Sequence, residues 1–271
     1  MLTFPNAKIN IGLYITGKRE DGYHNLETVF YPVKLSDALE LIELPGMPAS
    51  LRTSGLAVAG RTEDNLVWSA FRLLQRDFPD KVRPLQLLLH KVIPMGGGMG
   101  GGSADGAFML RMLNEFFGLQ LDTPQLESYA LQLGSDCPFF IHNRPSFASG
   151  RGEVLEPVSL DLSGYSLQLI CPELHVSTAG AFRNIIPRKA PLALRELPLL
   201  PLTEWRQRVG NDFERPVFEA HPVLADIKQQ LYDQGAIYAA MSGTGSTLYG
   251  VFEKGREAVI KTSIPYRSFQ G

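Results

Sequence analysis

Cysteine is scarce: Cys137 and Cys171 are the whole complement of 271 residues. Two thiols cannot build a disulfide framework, and neither sits in a zinc-ligand spacing. Long apolar runs are missing too, so no segment reads as a membrane span. Positive charge is not in excess: 26 Lys and Arg face 28 Asp and Glu, a net charge of -2, with the basic residues scattered. That excludes the basic stripe a nucleic-acid backbone requires. The opening Met-Leu-Thr-Phe-Pro-Asn-Ala-Lys8 lacks the charged-then-apolar layout of a signal peptide. The expectation is a reduced, cytoplasmic protein with neither a nucleic-acid nor a membrane partner.

Glycine, by contrast, is concentrated. Six of the seven residues from Gly96 to Gly102 are glycine, inside the run from Pro94 to Ala107, and a helical pattern follows at once. Glycine loses the most backbone freedom on folding, so such a run is kept where side chains would be in the way. Opening onto a helix, it offers amide N–H groups and the positive end of the helix dipole to an anion, most often a phosphate. It is not a P-loop, because no Lys follows the glycines, and it is a poor dinucleotide fingerprint. A flexible linker is the alternative, but a linker is not wedged between a strand and an amphipathic helix. Ser103 can cap that helix, contact phosphate or help hold a metal ion.

The chain suits one large domain or two modest ones. Residues 7–15 alternate as a half-buried strand, with Lys8 and Asn10 on one face. Asp21-Gly22 marks a hairpin turn, and strands are expected near 27–33, 37–44, 51–58 and 85–92. Asp64 is the expected cap of a helix over 65–75; further helices are expected over 103–117, closed by Gly118, and from Thr123-Pro124 to Leu133. Beyond residue 155 a strand over 165–171, a Pro/Leu-rich connection over 187–202, helices over 203–219 and 222–234, strands over 236–241 and 246–252, and a last helix over 255–263 are expected. The mixture lacks a strict βαβ rhythm and predicts an α+β fold, largely antiparallel, divided as 1–155 and 156–271.

The loop Pro94–Ala104 resembles the Pro-x-Gly-Gly-Gly-x-Gly-(Gly/Ser)-Ser-(Ser/Ala) signature of the small-molecule kinases that include galactokinase, homoserine kinase and mevalonate kinase, the GHMP kinases. Three more blocks are similar to the branch of that family whose alcohol acceptor carries a cytidine diphosphate group. They are Ala7–His24 with its Asp-Gly-Tyr-His ending, Leu133–Phe140, and Ser242–Ser246. The resemblance implies a two-domain kinase fold with an ATP and substrate cleft between domains, and ATP with Mg²⁺ as cofactors. It implies that Pro94, Met95, Gly96, Gly97, Gly98, Met99, Gly100, Gly101, Gly102, Ser103 and Ala104 hold the triphosphate, with Ser103 toward the Mg²⁺ ion and Asn65 toward the adenine.

Lys8 and Asp136 match the family's catalytic pair. A carboxylate takes the proton from the acceptor hydroxyl as it attacks the γ-phosphoryl group, and an ammonium keeps that carboxylate ionised and steadies developing charge. By the same resemblance Tyr23 and Phe182 stack on the two faces of a cytosine, His24 meets its polar edge, and Asn10 contacts the acceptor near its reacting hydroxyl. Phe182 and Thr178 match only as Thr-x-x-x-Phe, and a core Phe explains Phe182 about as well. Gly243, Thr244 and Gly245 form a second glycine turn that closes over the substrate. Asp105 stands where the family has a small polar residue and is expected to turn away from phosphate. Two rival readings are another small-alcohol kinase of the family and a non-catalytic nucleotide-binding protein on the same scaffold.

Overall fold

The computed structural model describes residues 1–183 and 185–270. In chain order the elements are β1 (Leu2–Thr3), β2 (Asn6–Lys18), β3 (His24–Ser36), β4 (Ala38–Ile42), β5 (Ser50–Gly55), α1 (Leu66–Asp77), β6 (Gln86–Lys91), α2 (Gly101–Phe116), α3 (Thr123–Leu133) and α4 (Cys137–His142). They continue with β7 (Ser146–Ser149), β8 (Val154–Pro157), β9 (Tyr165–Pro172), α5 (Thr178–Arg183), α6 (Trp205–Arg208), α7 (Glu214–Ala220), α8 (Pro222–Asp233), β10 (Tyr238–Met241), β11 (Leu248–Glu253) and β12 (Tyr266–Gln270). The result is α+β, and antiparallel pairing dominates, β5 running parallel to β6. Among the described residues no helix is long and apolar enough to cross a membrane.

Two compact units are assembled from interleaved stretches of chain: one from Met1–Ala7, Leu35–Met95 and Gly100–Asn143, the other from Lys8–Lys34, Gly96–Met99 and Arg144–Gly271. The first unit holds the sheet β1-β4-β6-β5, whose core pairs include Leu39 opposite Leu89 and Leu41 opposite Leu87, all buried. Helix α2 is central there, in contact with α1, α3 and α4. It buries nearly every residue from Ala104 to Leu113, and each large apolar side chain so covered contributes about 1.5–3 kcal/mol. The second unit holds the sheets β2-β3-β7-β8 and β10-β11-β9-β12. Its core packs Leu224, Ile227 and Leu231 of α8 with Ala239, Met241, Leu248 and Phe252 of the strands.

Several local expectations change. Asn65, not Asp64, caps α1: its side chain accepts the Val67 amide at 2.9 Å, while Asp64 pairs with Arg61. β2 is buried on both faces rather than half-buried. The helix expected over 203–219 splits into α6 and α7, because Leu13 bridges to Asn211 between them and pulls the chain out of helical geometry. No helix forms over 255–263. Side-chain amides claim that backbone instead: Gln168 bonds both the N–H and C=O of Ala258, Gln234 those of Val259, and Gln230 those of Lys261. The Pro/Leu-rich connection is core material, with Leu194 and Leu197 fully buried. Strands β1, β7, β8 and β12 and helices α4 and α5 lie outside the expected elements.

Candidate active site

The glycine run reaches α2 by repeated use of left-handed backbone, with φ of +71° at Gly96, +78° at Gly98 and +68° at Gly100. Gly98 must be glycine for a second reason: a Cβ there would lie 2.1 Å from the Ser242 carbonyl oxygen. Gly100 takes the N-cap position of α2 and supplies no side-chain cap, so the first-turn amides of a 16-residue helix are left to other acceptors. Ser103 therefore lies inside the first turn and is not the cap. Met99 turns inward, almost fully buried, with its sulfur 3.9 Å from Cys171 Sγ, so only its backbone faces the loop's work.

Lys8 and Asn10 come from β2, next but one on a strand as expected, but Lys8 is only 4% exposed rather than solvated. A lysine is almost never buried unless its charge is met. Here Lys8 Nζ donates to Asn10 Oδ1 at 2.6 Å and lies 4.5 Å from the centre of the Phe30 ring. Asn10 Nδ2 donates to Thr28 Oγ1 at 3.0 Å, and Thr28 donates to the Gly12 carbonyl at 2.6 Å. The same strand grips the glycine loop through its backbone: Lys8 N–H donates to Met99 O at 3.0 Å. The Asn10 amide donates to Ser242 Oγ, which donates in turn to Gly98 O at 2.8 Å. Ser242 thus joins the two glycine turns to the Lys8 strand, and sequence reasoning did not single it out. The signal was its place just before Gly243-Thr244-Gly245. That turn is also held from behind, where Asn211 Nδ2 donates to Met241 O and Gly243 O, each at 2.8 Å.

Asn65, Met95 and Gly102 come together around one cavity of about 130 Å³, with Val58, Leu66 and Leu89 among its apolar lining and Asp105 among its polar lining. The space is of the size of a nucleobase. Asn65 Oδ1 is engaged in capping α1, which leaves its Nδ2 as the group for a ligand. Asp136 is the residue just before α4, with Cys137 behind it. Burial pushes the Cys137 thiol up to about 12, opposed by the Ser103 hydroxyl and reinforced by the Asp136 charge. The Asp136 carboxylate and the Ser103 hydroxyl are both hard oxygen donors, and among the described residues no cluster of three His, Cys, Asp or Glu could hold a metal alone. That donor set suits Mg²⁺, which keeps waters and rides on substrate phosphates rather than in an all-protein cage.

Of the residues expected to line a pyrimidine slot, His24 and Phe182 lie against each other and Tyr23 stands apart against Arg151. Phe182 is half-buried, edge-on to Phe213, and its face is covered by His24, 4.9 Å away at 26°. Tyr23 is 58% exposed, with the Arg151 guanidinium 5.2 Å from its ring centre. Thr178 is exposed at the start of α5.

Asp105 turns into the interior of its unit. It is 2% exposed, and its Oδ2 accepts from Lys91 Nζ at 2.6 Å; Lys91 donates also to Asp37. Burial pushes the Asp105 carboxyl up to about 8, against the pull of Lys91 and with the Asp37 charge adding to the rise. Neither Lys91 nor Asp37 drew notice in the sequence; an acid where the family has a small polar residue was the available sign.

The glycine loop thus opens a helix whose first-turn amides have no side-chain cap, and the strand that grips the loop carries a buried lysine. Residues 65–144 match the GHMP kinases N terminal domain and residues 196–266 the GHMP kinases C terminal domain. The chain belongs to the GHMP kinase family. Within it, the chain is 52% identical over 255 residues to the 4-diphosphocytidyl-2-C-methyl-D-erythritol kinase of Bacteroides thetaiotaomicron, covering 93% of this chain and 92% of that one. It is 48% identical to the kinase of the same name from Parabacteroides distasonis, over 94% and 92% of the two chains. A crystal structure of 4-(cytidine 5'-diphospho)-2C-methyl-D-erythritol kinase superimposes with a TM-score of 0.80 at 30% identity, over 93% of this chain and 90% of the other.

Proposed function

We propose that the protein transfers the γ-phosphoryl group of ATP to the 2-hydroxyl of 4-diphosphocytidyl-2-C-methyl-D-erythritol, a step of non-mevalonate isoprenoid-precursor synthesis. Similarity to kinases named for that acceptor, over nearly the whole chain, carries the reading. The glycine loop and the side-chain-free cap of α2 support it by offering amides to a triphosphate.

In this reading the first-turn amides of α2 and the loop from Pro94 hold the phosphates, and adenine fills the cavity beside Asn65. Residues 1–155 handle ATP in the main, while 156–271 contribute Phe182 and the Gly243–Gly245 turn. Asp136 takes the proton from the 2-hydroxyl as its oxygen attacks phosphorus. Lys8, fixed by Asn10, keeps that carboxylate ionised and balances charge on the transferring group. Mg²⁺, when bound with ATP, would neutralise phosphate charge, with the Ser103 hydroxyl as the protein oxygen that would hold it and Asp136 kept for the proton. Tyr23 stacks on the cytosine and His24 moves off Phe182 to meet the polar edge of the base, leaving the Phe182 face to the ring.

The deciding assay couples ADP formation to the acceptor. ADP release that depends on the cytidyl compound, with mevalonate and homoserine inert, is the expected result. Turnover of mevalonate but not the cytidyl compound would reverse the reading, and ATP binding without turnover of any acceptor would favour a non-catalytic protein.

A further inference from the structure

We propose that the buried Asp37–Lys91–Asp105 cluster is a clamp on both ends of the glycine loop, and that Asp105 is a positioning residue for ATP. The inference rests on the reading of that loop as the holder of the triphosphate, and no role in the transfer step is asked of the cluster itself.

The upstream end of the loop is tied by Asp37. Its Oδ1 accepts the Val92 amide at 2.5 Å and the Ile93 amide at 2.9 Å, directly before Pro94. The downstream end is tied by Asp105, in the second turn of α2, through its hydrogen bond to Lys91. Lys91 joins the two, since the same ammonium donates to both carboxylates. The start of the helix packs there as well: a Cβ on Gly101 would be 2.8 Å from Ile93 Cγ2, so α2 begins directly against a side chain of the segment that leaves β6.

A fold that needed only stability gains little from this arrangement. One cation between two carboxylates, each at most 2% exposed, must overcome a large desolvation cost, and apolar residues of similar volume commonly do as well or better. Charged hydrogen bonds add what apolar packing lacks, a fixed direction. A loop rich in glycine has the most backbone freedom to lose, so fixing its two ends to one group lowers the entropy ATP must remove on binding. Asp105 also sits beside the proposed base cavity, and its Oδ1 has no hydrogen-bond partner. The clamp therefore reaches from the loop ends to the edge of the nucleotide site.

Asp105→Ala and Asp105→Asn test it. Asp105→Ala leaves Lys91 matched one-to-one with Asp37, so the fold is retained while the downstream tie is lost. The expected result is a rise of about tenfold in KM for ATP, a factor of ten being about 1.4 kcal/mol, with KM for the cytidyl acceptor unchanged. Asp105→Asn keeps an oxygen for Lys91 and restores most of the ATP affinity. In the nucleotide-free protein, amide exchange over residues 96–104 is expected to quicken in Asp105→Ala while α1 and α3 keep their protection. An unchanged KM for ATP, equal losses for both substrates, or an Asn variant as impaired as Ala overturns the clamp. The exchange measurement uses no ligand, so it separates the two readings: a wild type that binds no ATP defeats the nucleotide assignment, whereas unaltered loop exchange in Asp105→Ala defeats the clamp.

Discussion

Two glycines of the same loop should fail in opposite ways when given a methyl group. At Gly98 the added Cβ meets Ser242 O at 2.1 Å, against an ordinary contact beginning at 3.4 Å, so the two turns must part by about 1.3 Å (3.4 − 2.1). That parting breaks the Ser242-to-Gly98 bond and strains the Thr247 amide bond to Gly97 O, at about 1 kcal/mol each. Holding alanine at a φ of +78° costs about 1–2 kcal/mol more. Gly98→Ala should therefore lose about 3–4 kcal/mol, on the order of 10 °C in Tm. At Gly102 a Cβ meets nothing within 4 Å among the described residues, and φ is not left-handed. Alanine there should leave Tm level or slightly raised, since it is the better helix former by up to about 1 kcal/mol. Its methyl group, however, stands where phosphate is proposed to approach, so KM for ATP should rise about tenfold or more. Calorimetry on both variants with ATP-dependent initial rates checks the pair. A Gly98→Ala protein that melts with the wild type refutes the contact argument, and a Gly102→Ala protein with unaltered ATP affinity refutes phosphate binding at those amides.

Asp136→Ala should lower kcat by about three orders of magnitude or more while ATP still binds, as measured by single-turnover rates beside nucleotide titration; near-normal turnover would remove Asp136 from the base role. Tyr23→Ala should weaken binding of a cytidine nucleotide by about tenfold, a stacked ring being worth about 0.5–1.5 kcal/mol beyond its buried area; unchanged affinity would rule out the stack. Asn211→Ala strands the Met241 and Gly243 carbonyls and should cost about 1–3 kcal/mol, read as a lower urea midpoint, and an unchanged midpoint would show the turn to be held elsewhere. Burial pushes Cys171 up to about 11 and Cys137 up to about 12 from 9.0, so neither thiol of the folded protein should gain reactivity toward a thiol reagent between pH 7 and 9. Because the unfolded thiols release their protons first, stability should begin to fall as pH rises through about 9; brisk labelling of native protein at pH 8 would contradict the burial.

What the sequence made legible was whatever leaves a local mark. The alternation over residues 7–15 became β2, Asp122 and Pro124 open α3 at Thr123, and Gly118 ends its helix in left-handed backbone at φ +57°. The glycine run declared the loop. Illegible features depended on partners far along the chain. Residues 255–263 look helical alone, but Gln168, Gln230 and Gln234 take backbone groups that a helix would need. Lys8 reads as a surface lysine until Phe30 and Asn10 close around it. Asp105 reads as a helix-dipole residue because its partner Lys91 comes from the end of β6, and Asp37, which shares that lysine, from the link between β3 and β4. The Tyr23–Phe182 sandwich rests on resemblance alone, and here the His24 ring occupies the Phe182 face.

The two tasks of β2 explain why a lysine is tolerated in its interior. Side chains of β2 and of its neighbour β3 form one directed chain, from Lys8 Nζ to Asn10 Oδ1, from Asn10 Nδ2 to Thr28 Oγ1 of β3, and from Thr28 back to the Gly12 carbonyl of β2. Each donor is oriented by the group behind it, so the ammonium has little rotational freedom in the folded protein. The backbone of the same residues donates to Met99 O and, through Ser242, to Gly98 O. Side-chain chemistry and glycine-loop geometry are thus set by two neighbouring residues of one rigid element. Phosphoryl transfer asks for positioned charge more than for covalent chemistry, and positioning achieved before binding leaves less reorganisation for the reaction step. In the proposed reaction a solvated lysine on a loop would supply the same charge, but without the fixed place beside the glycine loop that β2 gives Lys8 through its amide bond to Met99 O.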